Sequence, residues 1–204
     1  SALGSGSDYS PFLQHLGIAA LDVGYGGEGR TAGSYHSIYD SYDNYTRFGD
    51  PGLAYGAALS KTVGRLVLRI ADSDTPPMQF TDFANTVALY LTQVQKLAAD
   101  RRAQDPKRAQ LTADGAFKLA SDPANPVAAP APEPATPYFD LAPLENAVAK
   151  LHASAKAFDA AYAANGTALS PAARDRLNVA LRDIDQLLLD PRGLPGRPWY
   201  RNMI

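Results

Sequence analysis

Apolar side chains recur at helical spacing in the second half of the chain. Three series step by three or four residues, so each series places its members on one face of a helix. The first is Phe83, Val87, Tyr90, Val94 and Leu97, the second is Leu144, Val148, Leu151, Ala155, Phe158 and Tyr162, and the third is Leu177, Leu181, Ile184 and Leu188. Three helices with one apolar face each favour a helical bundle, in which those faces form the core.

Capping residues indicate where these helices begin and end. Ser170 before Pro171 predicts the start of the third helix, because a serine side chain caps free N–H groups and proline fits the first turn. Asn165 and Gly166 predict the end of the second helix. A weaker helical pattern covers residues 112–120.

The first fifty residues are instead rich in Gly, Ser, Tyr and Asp. The apolar run at 15–21 predicts a short buried strand. Pro11 predicts the first turn of a short helix ahead of that strand, with Ser7 or Asp8 as its cap. Five glycines between positions 24 and 33 predict a loop.

Another helix is predicted to start at Asp50 and Pro51 and to run to about Ala71, with apolar residues spread widely around it. Turn-forming residues at 72–77 follow this helix. We therefore divide the chain into residues 1–75 and residues 76–204. Six prolines between positions 123 and 137 predict a semi-extended excursion within the second part.

Composition excludes several classes of function. The 204 residues include no cysteine, which excludes disulfides, thiolate zinc sites and cysteine nucleophiles. A formal net charge of −2 gives no sign of the basic surface that nucleic-acid binding proteins usually carry. No apolar run approaches the roughly 20 residues that span a bilayer, so we expect no membrane segment in this chain.

Three histidines are candidates for site chemistry. For His15, beside the predicted strand, and His152, beside the second apolar face, a structural role is the default interpretation. His36 lies in the string GSYHSIYDS at 33–41, where an imidazole can reach a metal and a neighbouring carboxylate can fix its tautomer. One histidine alone is a weak metal signal, because zinc usually takes three or four protein ligands.

Four tyrosines close to this segment leave two interpretations open. Tyr35, Tyr39, Tyr42 and Tyr45 could form a stacking surface for nucleic-acid bases or a packed aromatic cluster under a loop. A stacking surface for nucleic acid also needs basic residues between its aromatic rings. Basic residues are scarce between these four tyrosines, which favours the packed cluster.

Four strings resemble a known family when they are taken together and in order. They are LGSGSDYSPF at 3–12, LGIA at 16–19, YHSIYDS at 35–41 and GLPGRPWYRNMI at 193–204. They resemble the end of the catalytic domain and the C-terminal region of the glutamate carboxypeptidase II and transferrin receptor-like family of di-zinc peptidases. The resemblance implies a mainly α chain, in which residues 1–75 are a partial α/β segment from the end of the catalytic domain and residues 76–204 are a helical dimerisation domain.

The same resemblance assigns roles to individual residues. It implies that His36 is the last ligand of a two-zinc site and that Tyr35 lies beside the substrate. Ser5 and Gly6 match a substrate-lining loop, in which Ser7 stands where the family has an asparagine. The family's other zinc ligands and its catalytic glutamate lie upstream of the residues present here, so the resemblance implies a fragment that is inactive and holds no zinc stably on its own.

Two interpretations of the parent protein remain open. In one, it is a zinc-dependent carboxypeptidase that cleaves peptides outside the cytoplasm, in the periplasm or after secretion. In the other, it is a non-catalytic, receptor-like module for dimerisation or interaction. Both imply a homodimer formed through the helical part, which in the enzyme would also close the substrate site. Symmetric dimers are the commonest oligomers.

Overall fold

A computed structural model describes residues 6–26, 34–116, 121–122, 124–125, 131 and 133–204. Four long helices dominate it: α1 (Ala54–Ala71), α2 (Phe80–Ala113), α3 (Ala142–Asn165) and α4 (Pro171–Asp183). Shorter helical turns occupy Pro11–Leu16, Tyr42–Asn44, Tyr45–Gly49, Pro51–Leu53, Gly166–Ala168 and Ile184–Leu188. Over these described stretches the β-type pairing consists of three isolated bridges. The predicted mainly α class is therefore confirmed.

The chain forms two compact units. The first unit joins Ser1–Met78 to Thr167–Ile204, and the second is Gln79–Gly166. The predicted boundary between residues 75 and 76 separates evolutionary domains, which need not coincide with the compact units of the structure. That division stays a prediction.

The strand predicted at 15–21 is wrong. Residues 11–16 form a π-helical turn with Pro11 at its start, and Gly17 ends the turn in the left-handed conformation, with φ of 62°. The residues from Gly17 to Gly26 then have no regular structure. A strand needs a neighbour that satisfies its N–H and C=O groups. None of the bridges among the described residues involves this segment.

Asp50 organises the start of α1. Its carboxylate accepts N–H groups from Tyr55 at 3.0 Å and Gly56 at 2.8 Å, and the Tyr45 hydroxyl donates to it at 3.3 Å. Burial pushes the pKa of Asp50 upward, but the hydrogen bonds from Gly56, Tyr55 and Tyr45 outweigh that effect and hold the pKa below its usual value. The predicted capping role is confirmed, although the regular helix begins at Ala54 rather than at Pro51.

The two ends of the described chain meet in the first unit. The backbone N–H groups of Arg201 and Asn202 donate to the Gln14 carbonyl at 2.8 and 3.1 Å. Asn202 is buried, and its side-chain amide donates to the Leu13 carbonyl at 3.3 Å. Because these bonds join positions almost two hundred residues apart, the C-terminal segment fixes the short helix that follows the Gly6-Ser7 turn.

In the second unit, α2 and α3 pack side by side in opposite directions. The residues buried between them are small or short, which allows the two backbones to approach closely: Ala84, Ala98, Val148 and Ala155. A T-shaped contact between the Phe80 and Phe158 rings, with centroids 5.1 Å apart, closes one end of the pair. A wider helical bundle stays a prediction.

The first predicted apolar face is covered only in part. Phe83, Val87 and Tyr90 are half-buried, whereas Val94 is 50 % exposed and Leu97 is 59 % exposed. The helix also runs much further than this series, through Pro106 to Ala113. It therefore includes the start of the weaker pattern at 112–120, of which residues 117–120 lie outside the described residues.

Asp159 caps α2 from the neighbouring helix. Its two carboxylate oxygens accept the N–H groups of Phe80 at 3.1 Å and Thr81 at 2.7 Å. Hydrogen bonds from the side chain and the backbone of Thr81 hold the pKa of Asp159 below its usual value. The carboxylate thus joins the end of α3 to the start of α2, where the sequence offered no local cap.

We expect Asp159→Asn to lower the melting temperature by roughly 5 °C at pH 7, because the amide offers one acceptor oxygen and no charge. The carboxylate contribution is fully present above the unfolded-state pKa, near 3.8. It is lost as pH falls below that value through the lowered folded-state pKa. Thermal unfolding followed by circular dichroism from pH 7 to pH 3 measures both effects.

Asp100→Asn is the matched control for this substitution. Asp100 is an exposed carboxylate on α2 that pairs with Lys96 within one helix. Exposed pairs of this kind contribute little to stability, so the control should melt close to wild type throughout the pH range. A melting difference between wild type and Asp159→Asn that persists unchanged at pH 3 would contradict the capping role.

Candidate functional site

The segment that carries His36 forms two consecutive turns. The Ser37 N–H donates to the Ser34 carbonyl and the Asp40 N–H donates to the Ser37 carbonyl, both at 3.0 Å. His36 lies between them in the left-handed conformation, with φ of 61°. That conformation is uncommon outside glycine and is most often found at functional sites and tight turns.

The structure brings Tyr35 and His36 together. Their rings stack with centroids 3.8 Å apart and an interplanar angle of 22°, and both residues are exposed. The His36 backbone N–H donates to the Asp40 carboxylate at 3.3 Å, which supports the backbone conformation at His36. The arrangement presents an imidazole to solvent, where it can accept a proton or donate a lone pair to a metal.

Two other predicted site residues, Gly6 and Ser7, lie in a separate turn. The Gly6 N–H donates to the Ser10 hydroxyl at 3.1 Å, and the Ser7 carbonyl accepts the Ser10 N–H at 2.9 Å. Gly6 has φ of 126°, which favours glycine at this position. Ser5 lies outside the described residues. The role of this turn in binding substrate stays a prediction, as does the role of Tyr35.

The described residues do not fit a complete metal centre. Across the stretches that the structure describes, no three His, Cys, Asp or Glu side chains cluster closely enough to hold an ion. His36 supplies one imidazole, and the Asp40 carboxylate accepts the His36 backbone N–H. A zinc site therefore requires ligands from outside these residues, and His36 as a ligand stays a prediction.

The other two histidines make contacts inside their own units. His15 Nδ1 is 2.8 Å from the Trp199 carbonyl, and its ring stacks on the Trp199 indole at 5.0 Å. His152 Nε2 is 3.1 Å from the Asn85 side-chain oxygen. These contacts hold neighbouring elements together and give neither histidine a partner suited to catalysis.

The tyrosines near His36 are exposed. Tyr35, Tyr39, Tyr42 and Tyr45 all have large exposed fractions, so the prediction of a packed aromatic cluster is wrong. They share this region with other exposed apolar side chains, including Ile38, Phe48 and Tyr55. Apolar spacing did not indicate this surface, because the residues lie in short turns rather than in one regular helix.

Sequence reasoning also missed an apolar groove in the second unit. This groove of about 620 Å³ lies between α2 and residues 133–141, which have no regular secondary structure. Its apolar lining includes Val94, Leu97, Phe139 and Leu141, and its charged lining includes Arg101 and Glu133. Half of the Phe139 side chain is exposed. The half-exposed Val94 and Leu97 thus line this groove.

Comparison with known proteins places the similarity over the whole chain. Residues 139–204 match the transferrin receptor-like dimerisation domain. A probable glutamate carboxypeptidase of Arthroderma benhamiae is 30 % identical over 99 % of this chain and 24 % of its own length. The probable glutamate carboxypeptidase LAMP1 of Arabidopsis thaliana is 27 % identical over 98 % of this chain and 23 % of its own length.

An aminopeptidase, NAALADL1 of Rattus norvegicus, is 33 % identical over 46 % of this chain and 13 % of its own length. The chain thus spans about a quarter of the length of the two carboxypeptidase relatives. Among the described residues, no helix is both long enough and apolar enough to cross a membrane.

Proposed function

We propose that the helical part of this chain, which is similar to the glutamate carboxypeptidase and transferrin receptor-like family, joins two copies of the parent protein. The match of residues 139–204 to a domain named for dimerisation carries this proposal. The large apolar side chains that stay exposed on α2 support it, because such side chains are enriched in the buried centres of protein interfaces.

We further propose that the parent is a zinc-dependent carboxypeptidase and that His36 is one of its metal ligands. The names of the two full-coverage relatives support this assignment. The exposed imidazole of His36, on a strained turn supported by Asp40, is also consistent with it. The remaining ligands and the general base would come from residues that are not in this chain, and the helical part would help to close the substrate site.

We also propose an extracytoplasmic location, in the periplasm or outside the cell, on the family resemblance alone. The second candidate function is a receptor-like module without catalysis. The family match of residues 139–204 favours it as much as it favours the enzyme, because this match concerns assembly alone. The two functions differ in whether the parent hydrolyses peptides. In this chain, the difference depends on whether His36 acts as a metal ligand.

Dimerisation is tested by analytical ultracentrifugation of the 204-residue chain. We expect sedimentation equilibrium to give about twice the monomer mass of 21.7 kDa at tens of micromolar, roughly the range in which moderate affinities are measured. Dilution should shift the equilibrium toward monomer with a single dissociation constant. A monomer across the whole concentration range would contradict the proposal.

Catalysis is tested with the same chain and with the longer protein. We expect no hydrolysis of an N-acetylated dipeptide by the 204-residue chain even with added zinc, because one imidazole cannot hold a catalytic metal pair. The longer protein should hydrolyse it. Hydrolysis by the isolated chain, or inactivity of a folded and zinc-supplied longer protein, would overturn the catalytic assignment.

A further inference from the structure

We infer that the apolar groove between α2 and residues 133–141 is the centre of the contact between two copies of this chain. The inference rests on the proposed homodimerisation and adds the surface that performs it. The observations that carry it are the fixed walls of the groove, the exposure of its apolar side chains and the overlap of one wall with the matched dimerisation domain.

The walls of the groove are held in place before any partner arrives. The Thr136 N–H donates to the Asp105 carboxylate at 2.6 Å, and Glu133 forms an ion pair with Arg108. Both contacts tie residues 133–136 to α2. A preformed groove loses little conformational freedom on binding, so more of its contact energy is available for association.

The apolar side chains of the groove are only half covered within one chain. Val94, Leu97 and Phe139 are 50 %, 59 % and 51 % exposed, respectively. Val94 and Leu97 are three residues apart on one helical face, and Phe139 lies on the opposite wall. Three such side chains around one groove form the kind of apolar centre that interfaces bury.

A second copy of the chain is the occupant that these observations favour. Phe139 is the first residue of the matched dimerisation domain and also lines the groove, so the groove is continuous with that domain. The lining carries one cation, Arg101, and one anion, Glu133. In a two-fold dimer the same surface occurs on both sides, and because Glu133 is paired with Arg108 inside each copy, its charge is balanced where the two copies meet.

The groove alone is too small to hold a stable dimer. Stable interfaces bury about 800 Å² on each partner, and three half-exposed side chains provide only part of that area. Tyr138, next to Phe139, is 79 % exposed and extends the apolar surface beyond the groove. The groove is therefore the centre of the interface, and neighbouring exposed residues form its rim.

Leu97→Glu in the full 204-residue chain tests the inference, with Leu89→Glu as the matched control. Both leucines lie on α2 and are more than half exposed, but only Leu97 lines the groove. We expect Leu97→Glu to raise the dimer dissociation constant about 100-fold, because a charge would be buried at the centre of the contact. Leu89→Glu should change it less than about threefold. Sedimentation equilibrium gives the constants, and circular dichroism checks the helix content.

Phe139→Ser is the second variant, and it decides the question if Leu97→Glu fails to fold. It should also weaken the dimer. If wild type dimerises and neither groove variant weakens the dimer, the groove assignment is overturned while homodimerisation stands. An equal effect of Leu89→Glu would also overturn it, since association would then not be specific to the groove. A monomeric wild-type chain would overturn both proposals.

The absence of cysteine in all 204 residues permits an independent measurement. Phe139→Cys and Leu89→Cys each place one thiol in the chain. With a short bis-maleimide reagent, we expect covalent dimers from Phe139→Cys, because two copies of a central residue lie near the two-fold axis. Equal or greater cross-linking of Leu89→Cys would contradict the assignment.

Discussion

Replacing Gly193 by alanine should lower the free energy of unfolding by about 3–5 kcal/mol. Gly193 has φ of 70°, a conformation that costs an alanine about 1 kcal/mol. The larger part comes from contact, because an added Cβ would lie 2.3 Å from the Pro198 carbonyl oxygen and 2.5 Å from the Pro198 Cα. The backbone would have to move apart to relieve this overlap.

That movement would break the turn that organises the C-terminal segment. The Leu194 N–H donates to the Tyr200 carbonyl at 2.8 Å, and the Arg197 N–H donates to the Leu194 carbonyl at 2.8 Å. The residues just beyond this turn bond to Gln14, as described above. Loss of the turn would therefore also release the short helix next to the Gly6-Ser7 turn, and any site that this turn contributes to.

Gly196→Ala is the matched control. Gly196 has the same φ of 70°, but nothing lies within 4 Å of the position of its Cβ. Gly196→Ala should lower the free energy of unfolding by only about 1 kcal/mol, because only the conformational cost of alanine applies there. Urea unfolding followed by the fluorescence of Trp199, the single tryptophan, gives both values. Equal losses in the two variants would mean that the contact with Pro198 is not what requires glycine at position 193.

Replacing His36 by asparagine in the longer protein should reduce peptide hydrolysis at least about 100-fold, because a metal site that loses a ligand loses affinity and activity together. Asparagine is chosen because it tolerates the left-handed conformation that His36 adopts at φ of 61°. The substitution thus removes the imidazole while leaving the backbone of the turn unstrained. Activity and bound zinc should fall together.

His152→Asn is the control for the loss of an imidazole. His152 contacts Asn85 within the second unit, and its replacement should leave hydrolysis within about threefold of wild type. A His36→Asn protein that keeps full activity and full zinc content would contradict the ligand assignment. A protein whose wild-type form is inactive with zinc supplied would instead favour the receptor-like module.

Local sequence signals predicted the helices well where the capping residue is close in sequence. Ser170 caps α4, and its hydroxyl accepts the Ala173 N–H at 3.3 Å. Asp50 caps the start of α1, which ends at Ala71 as predicted. Asp159 was not found in this way, because it lies 78 residues from the Thr81 N–H that it accepts. No pattern within a window of a few turns can contain such a partner.

The length of α2 was underestimated for a related reason. The helix continues through Pro106, although proline usually breaks a helix interior. Around this point the irregular segment at 133–141 contacts the helix, where Asp105 accepts the Thr136 N–H and Arg108 pairs with Glu133. Contacts with a segment about 25–30 residues away accompany this continuation. Neither contact can be predicted from the periodicity of the sequence.

For the candidate site, motifs identified the segment and the structure supplied its conformation. The resemblance selected His36 and Tyr35, but it did not indicate the stacking of their rings or the left-handed backbone at His36. The exposed tyrosines were misjudged because burial depends on what packs over a turn. Residue type alone does not decide that.

The sequence by itself determined the mainly α class, the ends of several helices and the resemblance to a family, because these depend on spacing, capping and motif order along the chain. Only the tertiary structure decided which apolar positions are covered. Of the regular series on α2, it left Val94 and Leu97 half exposed beside Phe139 in a groove. Periodicity gives the face of a helix, but the partner of that face is set by contacts between segments far apart in sequence.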